Sequence, residues 1–305
     1  MSADLPFLCA RCRNVMPGLS CGCGFTVPAS GGILDFISND PACNALQEEI
    51  ETWDEDVSAY ETSKLREQIV DVAGYFRGLG EHRSAARMLP AMGQLDLRGK
   101  RCLEVGGVGH CLAMMLKSGC TDLYHLEVSA ESQRLAMRNL AALPETSGAA
   151  IRYLQAPAEK IPLPDASVDF LMALGTYHHT DRRLSVPEIH RVLKPGGFFY
   201  FHEGYIGTAL LPFKWLTRAA RKPFGFHPGN DNPLGRADLA ILNRHFPVHR
   251  FEIRNVLDIA AFAVRYVSPA LGRRMYRAEM NLPGVTAVGI DFLKGTVHYS
   301  GQRTT

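Results

Sequence analysis

The chain has 305 residues, 46% hydrophobic and 21% charged, a balance that excludes a disordered polypeptide and fits a soluble enzyme. Its net charge of +2 hides an asymmetry: nine acidic residues and no Lys or Arg from Asp35 to Glu61, against twelve Lys or Arg and five acids from 205 to 280. The longest apolar runs, such as IAAFAV at 259–264, are too short to span a bilayer, and the first residues lack the apolar core of a secretory signal, so a cytoplasmic protein is expected.

At this length a main domain with an appendage is expected rather than one core. The appendage comes first. Cys9 and Cys12 form a C-x-x-C pair, and Cys21 and Cys23 a second, tighter pair. Four thiolates in two turns are what tetrahedral zinc needs, and the glycines at 22 and 24 let the second turn close on an ion. So short a segment has little apolar core of its own, so the metal would hold it together. Free or disulfide-bonded cysteines are the alternative, and Cys43 is a reserve fourth ligand because the second pair is C-x-C. Cys102, Cys111 and Cys120 read as small buried hydrophobes.

ILDFI, from Ile33, reads as a short strand leading out of this ribbon. From Ala45 to about Phe76 the pattern is helical and at first acidic, with Trp53, Val57 and Tyr60 on one face. Such a helix either packs as a solvated bridge or lies as a lid with Trp53 or Tyr60 toward a pocket.

The strand RCLEV then meets Gly106, Gly107 and Gly109, and a helix follows. Strand, bare glycine turn and helix form the first unit of a doubly wound nucleotide-binding domain. Glu127 stands 23 residues after Glu104, at the end of the next strand, LYHLEV, where an acid can accept both hydroxyls of a ribose. A G-x-G-x-x-G register would put Leu112 at its third glycine, which disfavours a dinucleotide. Further on come a strand to Gln155, an Ala158-Glu159 turn, the strand VDFLMAL, a helix holding EIHRVL, KPGG, and a fifth strand FFYFHE.

In AEKIPLPDASVDF and HRVLKPGG, and in the order of these elements, residues 97–204 resemble the class I S-adenosylmethionine-dependent methyltransferases, specifically the small-molecule type of ubiquinone and menaquinone biosynthesis. The resemblance implies an α/β fold with a doubly wound, seven-stranded, mostly parallel sheet whose last strand, antiparallel, is GIDFLKGTVHYSGQ. It implies that Glu104 and the backbone at Gly106, Gly107 and Gly109 meet the methionine end of the cofactor, that Glu127 clamps the ribose, and that Ala158 and Glu159, with Leu174, line the remainder. Two departures stand out. Val108 interrupts the family's G-x-G-x-G run, and Pro157 stands where many members have the aspartate of G-D-A-E.

The expected organisation is a zinc ribbon at 1–38, a helical bridge or lid at 39–96, and a methyltransferase domain at 97–305 with helical cap insertions at 205–245 and 257–283. Tyr177, His178 and His179 follow the fourth strand, and His202 with Glu203 ends the fifth. These histidines are candidate bases or structural groups, His178 foremost among the bases. The basic, aromatic insertions point to an anionic acceptor or an anionic membrane surface, or form a solvated lid face. The expected function is methyl transfer to an O or N nucleophile of a small-molecule or lipid- or glycan-linked acceptor, using S-adenosylmethionine and a structural Zn2+. An rRNA guanine methyltransferase gripping RNA through its ribbon and a catalytically inactive cofactor-binding scaffold are the alternatives; nucleic acid ranks second because the ribbon is poor in basic residues.

Overall fold

The computed structural model describes residues 6–58, 95–213, 232–254, 267–280 and 294–304, with the single positions 67, 70, 71 and 264. Tyr60, most of the expected bridge after Ser58, and much of both cap insertions lie outside the described residues.

Among the described residues nine strands form one sheet: β1 (Ala29–Ser30), β2 (Ile33–Asp35), β3 (Arg101–Val105), β4 (Asp122–Glu127), β5 (Ala150–Gln155), β6 (Val168–Leu174), β7 (Leu193–Ile206), β8 (Val248–Arg254) and β9 (Lys294–Gln302). Their order is β1-β2-β5-β4-β3-β6-β7-β9-β8. From β2 to β7 every pairing is parallel, and β9 runs antiparallel between β7 and β8. The central strands are apolar on both sides because helices cover both faces. Thus Leu103 and Val105 enter one buried cluster while Cys102, their neighbour on the strand, enters the other.

The helices are α1 (Gln47–Ser58), α2 (His110–Lys117), α3 (Ala130–Leu140), α4 (Arg182–Val192), α5 (Arg236–His245) and α6 (Pro269–Met280). All seven residues from His110 to Leu116 are buried, so α2 is a core helix with no polar face. Cys102, Cys111 and Cys120 are buried as expected. Within the first expected cap, Arg236–His245 is an ordinary crossover helix, with Leu239 and Leu242 buried in the main core. No helix among the described residues is long and apolar enough to cross a membrane.

The expected seven strands become nine because the ribbon joins the sheet. β1 and β2 form a small antiparallel hairpin, and β2 pairs in parallel with β5, Leu34 opposite Leu154. Cys9, Met16, Phe25, Val27 and Phe36 share one buried cluster with Leu103 and Leu154. Leu8 N–H donates to the Pro162 carbonyl at 3.1 Å, and the Arg13 guanidinium donates to the Ile161 carbonyl at 3.2 Å and to Glu188 at 2.8 Å. Residues 6–38 are therefore docked into the main core rather than appended to it.

KPGG, which the sequence sets before the fifth strand, is absorbed into β7 as a bulge: Val168 faces Leu193, but Phe170 already faces Phe198. A side chain at Gly197 would come within 2.9 Å of the Lys194 carbonyl, so the bulge requires glycine.

Candidate active site

The carboxyl ends of β3, β4, β5 and β6 open into a cavity of about 390 Å³, roofed by α1. Its floor is the glycine turn. Gly106 has φ 76°, and a Cβ there would lie 2.2 Å from Thr176 Oγ1, whose hydroxyl donates to the Val105 carbonyl at 3.0 Å. Only glycine fits. The bare turn thus accommodates the next strand's loop as well as leaving backbone open to a ligand.

Glu104 is buried beneath the turn and accepts from Cys111 N–H and Leu112 N–H, both at 3.1 Å. It caps α2, whose N-cap residue Gly109 has no side chain to do so. Burial pushes this carboxyl up to about 8 despite the two bonds. His125 on β4 fixes the turn from below, its Nε2 3.1 Å from the Gly107 carbonyl. Burial lowers its pKa to about 4, so the ring is neutral and Nε2 carries the donated proton. Sequence reading missed His125, which sits inside an apolar strand; only its place two residues before Glu127 could have drawn attention to it.

Glu127 accepts from Gly107 N–H at 2.8 Å and from Ser129 N–H at 2.9 Å. Burial raises it to about 7. Ala158 and Glu159, in a short 3-10 turn, and Leu174, at the end of β6, line the same cavity. Of the expected cofactor residues, Gly109 alone stands back from it: its backbone packs on α3, where a Cβ would lie 3.2 Å from Ala136. Val108 and Pro157, the two departures from the family pattern, both line a well-formed pocket.

The acidic helix borders the cavity. Glu49, Trp53 and Val57 of α1 line the cavity. Val57 packs on Leu135, and Asp54 accepts from the Ser129 hydroxyl at 2.5 Å, which ties the roof to the start of α3. Lys160 adds an ion pair with buried Asp40 at 2.7 Å, just before α1.

The histidines separate. His179 lines the cavity, edge-on to Trp53 with ring centres 5.3 Å apart and 3.9 Å from Glu49. His178 lies beside it at 4.0 Å, and its Nδ1 is 2.8 Å from Glu203 Oε2. Glu203 is buried, and its other oxygen accepts from the N–H groups of Thr176 at 2.9 Å and Tyr177 at 2.8 Å. One carboxylate therefore shapes the loop and orients the imidazole.

Tyr177, expected among the catalytic candidates, faces the core instead: it is fully buried against Phe201, and its hydroxyl has no hydrogen-bond partner among the described residues. His202 also lies apart. Alternation along β7 turns it away from Glu203, to a position 4.8 Å from the His298 ring on β9.

At the ribbon, the Sγ atoms of Cys9, Cys12, Cys21 and Cys23 all lie within 4.8 Å of one another, with Cys9–Cys23 and Cys12–Cys21 at 3.5 Å. Four sulfurs around one zinc at ~2.3 Å would stand about 3.8 Å apart, so the set fits a tetrahedral ion and is far from disulfide contact. Cys43 is no ligand. It is buried with Ile37 and Ile50, its thiol 3.8 Å from Asp40 and pushed up to about 11 by burial.

Residues 103–201 match a family described as a methyltransferase domain. The ubiquinone/menaquinone biosynthesis C-methyltransferase UbiE of Xanthomonas axonopodis is 31% identical over 158 residues, covering 47% of this chain and 59% of that one. The chain therefore matches less than two thirds of that relative's length. Among solved structures, the geranyl diphosphate C-methyltransferase of Streptomyces coelicolor, bound to Mg2+, geranyl diphosphate and S-adenosyl-L-homocysteine, aligns with a TM-score of 0.50 at 16% identity over 73% of this chain and 80% of that one. A Haloferax volcanii methyltransferase complexed with the Trm112 methyltransferase activator aligns with a TM-score of 0.50 at 18% identity, over 79% of this chain and 97% of that one. At those identities the likeness is one of fold.

Proposed function

We propose that this chain, whose residues 103–201 match a methyltransferase domain, moves a methyl group from S-adenosylmethionine to an O or N nucleophile of a small-molecule or lipid- or glycan-linked acceptor. The observation that carries this reading is a glycine-floored cavity with an acid at the end of the neighbouring strand, lined by His179, against which the Glu203-bound His178 ring packs.

The residues present fit the cofactor. Gly106 and Gly107 leave backbone exposed for its methionine end, Glu127 stands where ribose hydroxyls can donate, and Ala158 with Glu159 forms a rim for the adenine. When bound, S-adenosylmethionine supplies a methyl group on a sulfonium, already activated for in-line displacement. The protein's own work is then positioning, which provides roughly 7–11 kcal/mol of such a barrier. In this reading His178, oriented by Glu203 through Nδ1, serves as the base for the acceptor proton, and Glu203 stabilises the imidazolium.

Two features favour a small acceptor over RNA. The ribbon's basic residues are used internally: Arg13 on Ile161 and Glu188, and Arg11 on the Asn39 carbonyl at 3.3 Å. The excess of Lys and Arg lies instead at 205–280, where it suits an anionic acceptor or contact with an anionic lipid surface. Because the pocket forms despite Val108 and Pro157, an inactive scaffold is the less economical reading.

The test is incubation of the zinc-loaded protein with 13C-methyl S-adenosylmethionine and fractionated metabolite and lipid extracts. One added methyl on a small or lipid-linked product, with a carbon shift typical of O–CH3 or N–CH3, is expected. A C–CH3 shift would replace the nucleophile class, and label appearing only in rRNA would overturn the acceptor reading.

A further inference from the structure

Four carboxylates, Glu49, Glu104, Glu127 and Glu159, line the cavity, and among the described residues no Lys or Arg lines it. Three are spent on the scaffold. Glu104 holds the first turn of α2, Glu127 holds Gly107 and Ser129, and Glu159 accepts from Asp181 N–H at 2.8 Å. Glu49 is different. It comes from the lid and lines the cavity with Glu127 and Glu159, its side chain hydrogen-bonded to that of Trp53 and 3.9 Å from His179. Burial raises its carboxyl above the usual range, and a cationic group placed beside it would favour its ionised form.

This inference rests on the proposed cofactor. Substrate and product differ in one respect: the sulfonium of S-adenosylmethionine is cationic, and the thioether of S-adenosylhomocysteine is neutral. In the transfer the S–CH3 bond breaks, sulfur keeps the electron pair, the acceptor forms the new bond to carbon, and the acceptor proton leaves to the base. The positive charge therefore departs from sulfur as the product forms. We propose that Glu49 is a specificity-determining residue that reads this charge, so that the pocket holds the methylated cofactor more tightly than the demethylated one. The product is then released from the same lid that retained the substrate, with no change of shape required to tell them apart.

The position of α1 supports this, since the Asp54–Ser129 bond and the Val57–Leu135 contact fix the helix against the sheet and hold Glu49 in place. A carboxylate on a loose loop would be screened by water; one under a packed lid is screened less.

The experiment is calorimetric titration of the full, zinc-loaded chain with three ligands: S-adenosylmethionine, sinefungin, which carries an amine in place of the sulfonium, and S-adenosylhomocysteine. The wild type is expected to bind the two cationic ligands about tenfold more tightly than the neutral one, a difference of ~1.4 kcal/mol. Glu49→Gln should abolish most of that preference by weakening the cationic ligands about tenfold while leaving the neutral one within twofold, and Glu49→Asp should restore part of it. Circular dichroism and melting of each variant confirm that the lid still folds. Equal weakening of all three ligands in a folded variant, or an unchanged preference, would overturn the role of Glu49. If none of the three binds the wild type, the cofactor reading itself falls, and this inference with it.

Discussion

Glu203 concentrates three hydrogen bonds on one buried carboxylate, and two of them fix the backbone of the loop that carries His178. Substitutions at the two ends of the pair should therefore differ. His178→Ala should lower kcat by about 10²- to 10⁴-fold with little change in cofactor affinity, as for a lost base. Glu203→Gln keeps hydrogen-bonding capacity but removes the charge, so steady-state kinetics should show a lower kcat and an acid limb moved to lower pH, the sign expected when an imidazolium loses its anion. Glu127 makes a second residue-scale prediction. Burial raises it to about 7 from a usual 4.5, so in the unliganded protein it keeps a proton that the unfolded chain releases. Its contribution to stability is present below about 4.5 and is lost as pH rises toward 7. Ribose hydroxyls donate to the ionised form, so cofactor affinity should move the other way: flat above about 8, and falling by up to about tenfold per pH unit per linked proton below about 7. Calorimetry in buffers of different ionisation heat should record proton release on binding near neutral pH. Glu127→Ala should weaken binding by roughly 1.5–3 kcal/mol for each charged hydrogen bond lost.

Among the elements, the ribbon and the lid are coupled to the site in ways their composition conceals. Metal analysis should find about one zinc per chain, since the four thiolates make one tetrahedral set. The sequence points to a ribbon separable from cofactor binding, but Cys9 and Phe25 share a core cluster with Ala156 and Ala158, which border the cavity. Chelating the zinc, or Cys9→Ser, should therefore lower the melting temperature of the domain and also weaken cofactor binding; unchanged affinity in a zinc-free protein would show that the cluster transmits nothing. What was legible in advance follows the same physics. The alternation of β3 to β7 with helices, the glycine turn, the place of Glu127 at the end of β4 and the four-cysteine set could be read because parallel strands, tight turns and metal ligands each impose residue types at fixed spacing. The lid could be read only as one of two options, because an acidic amphipathic helix looks the same over a pocket as over solvent. The opposed directions of Tyr177 and His178 could not be read at all, since a 3-10 turn has no periodicity long enough to declare a face.

On the scale of the whole molecule, the two strands that sequence reading did not add to the sheet decide how it behaves as a unit. β1 and β2 are two and three residues long, too short to show alternation, and their membership depends entirely on a partner in β5. With the ribbon sharing the main core, scanning calorimetry of the zinc-loaded protein should give one transition; two resolved transitions would mean that the ribbon folds by itself. Ile33→Ala should cost about 2–5 kcal/mol, as for other large-to-small changes in packed cores, because Ile33 is buried in the cluster that holds Tyr153. The β2–β5 pairing also orders events during synthesis. Asp35 faces Gln155, so the first strand of the chain to touch the parallel sheet emerges about 120 residues before its partner. At about 5–20 residues per second that is a wait on the order of 6–24 s. Throughout it, the unpaired edge at Ile33–Asp35 must be shielded by something already made. The four thiolates just upstream can take up zinc before β5 exists, and a metal-held loop there would restrain that edge, so zinc supplied during translation, rather than after it, is expected to raise the yield of native protein.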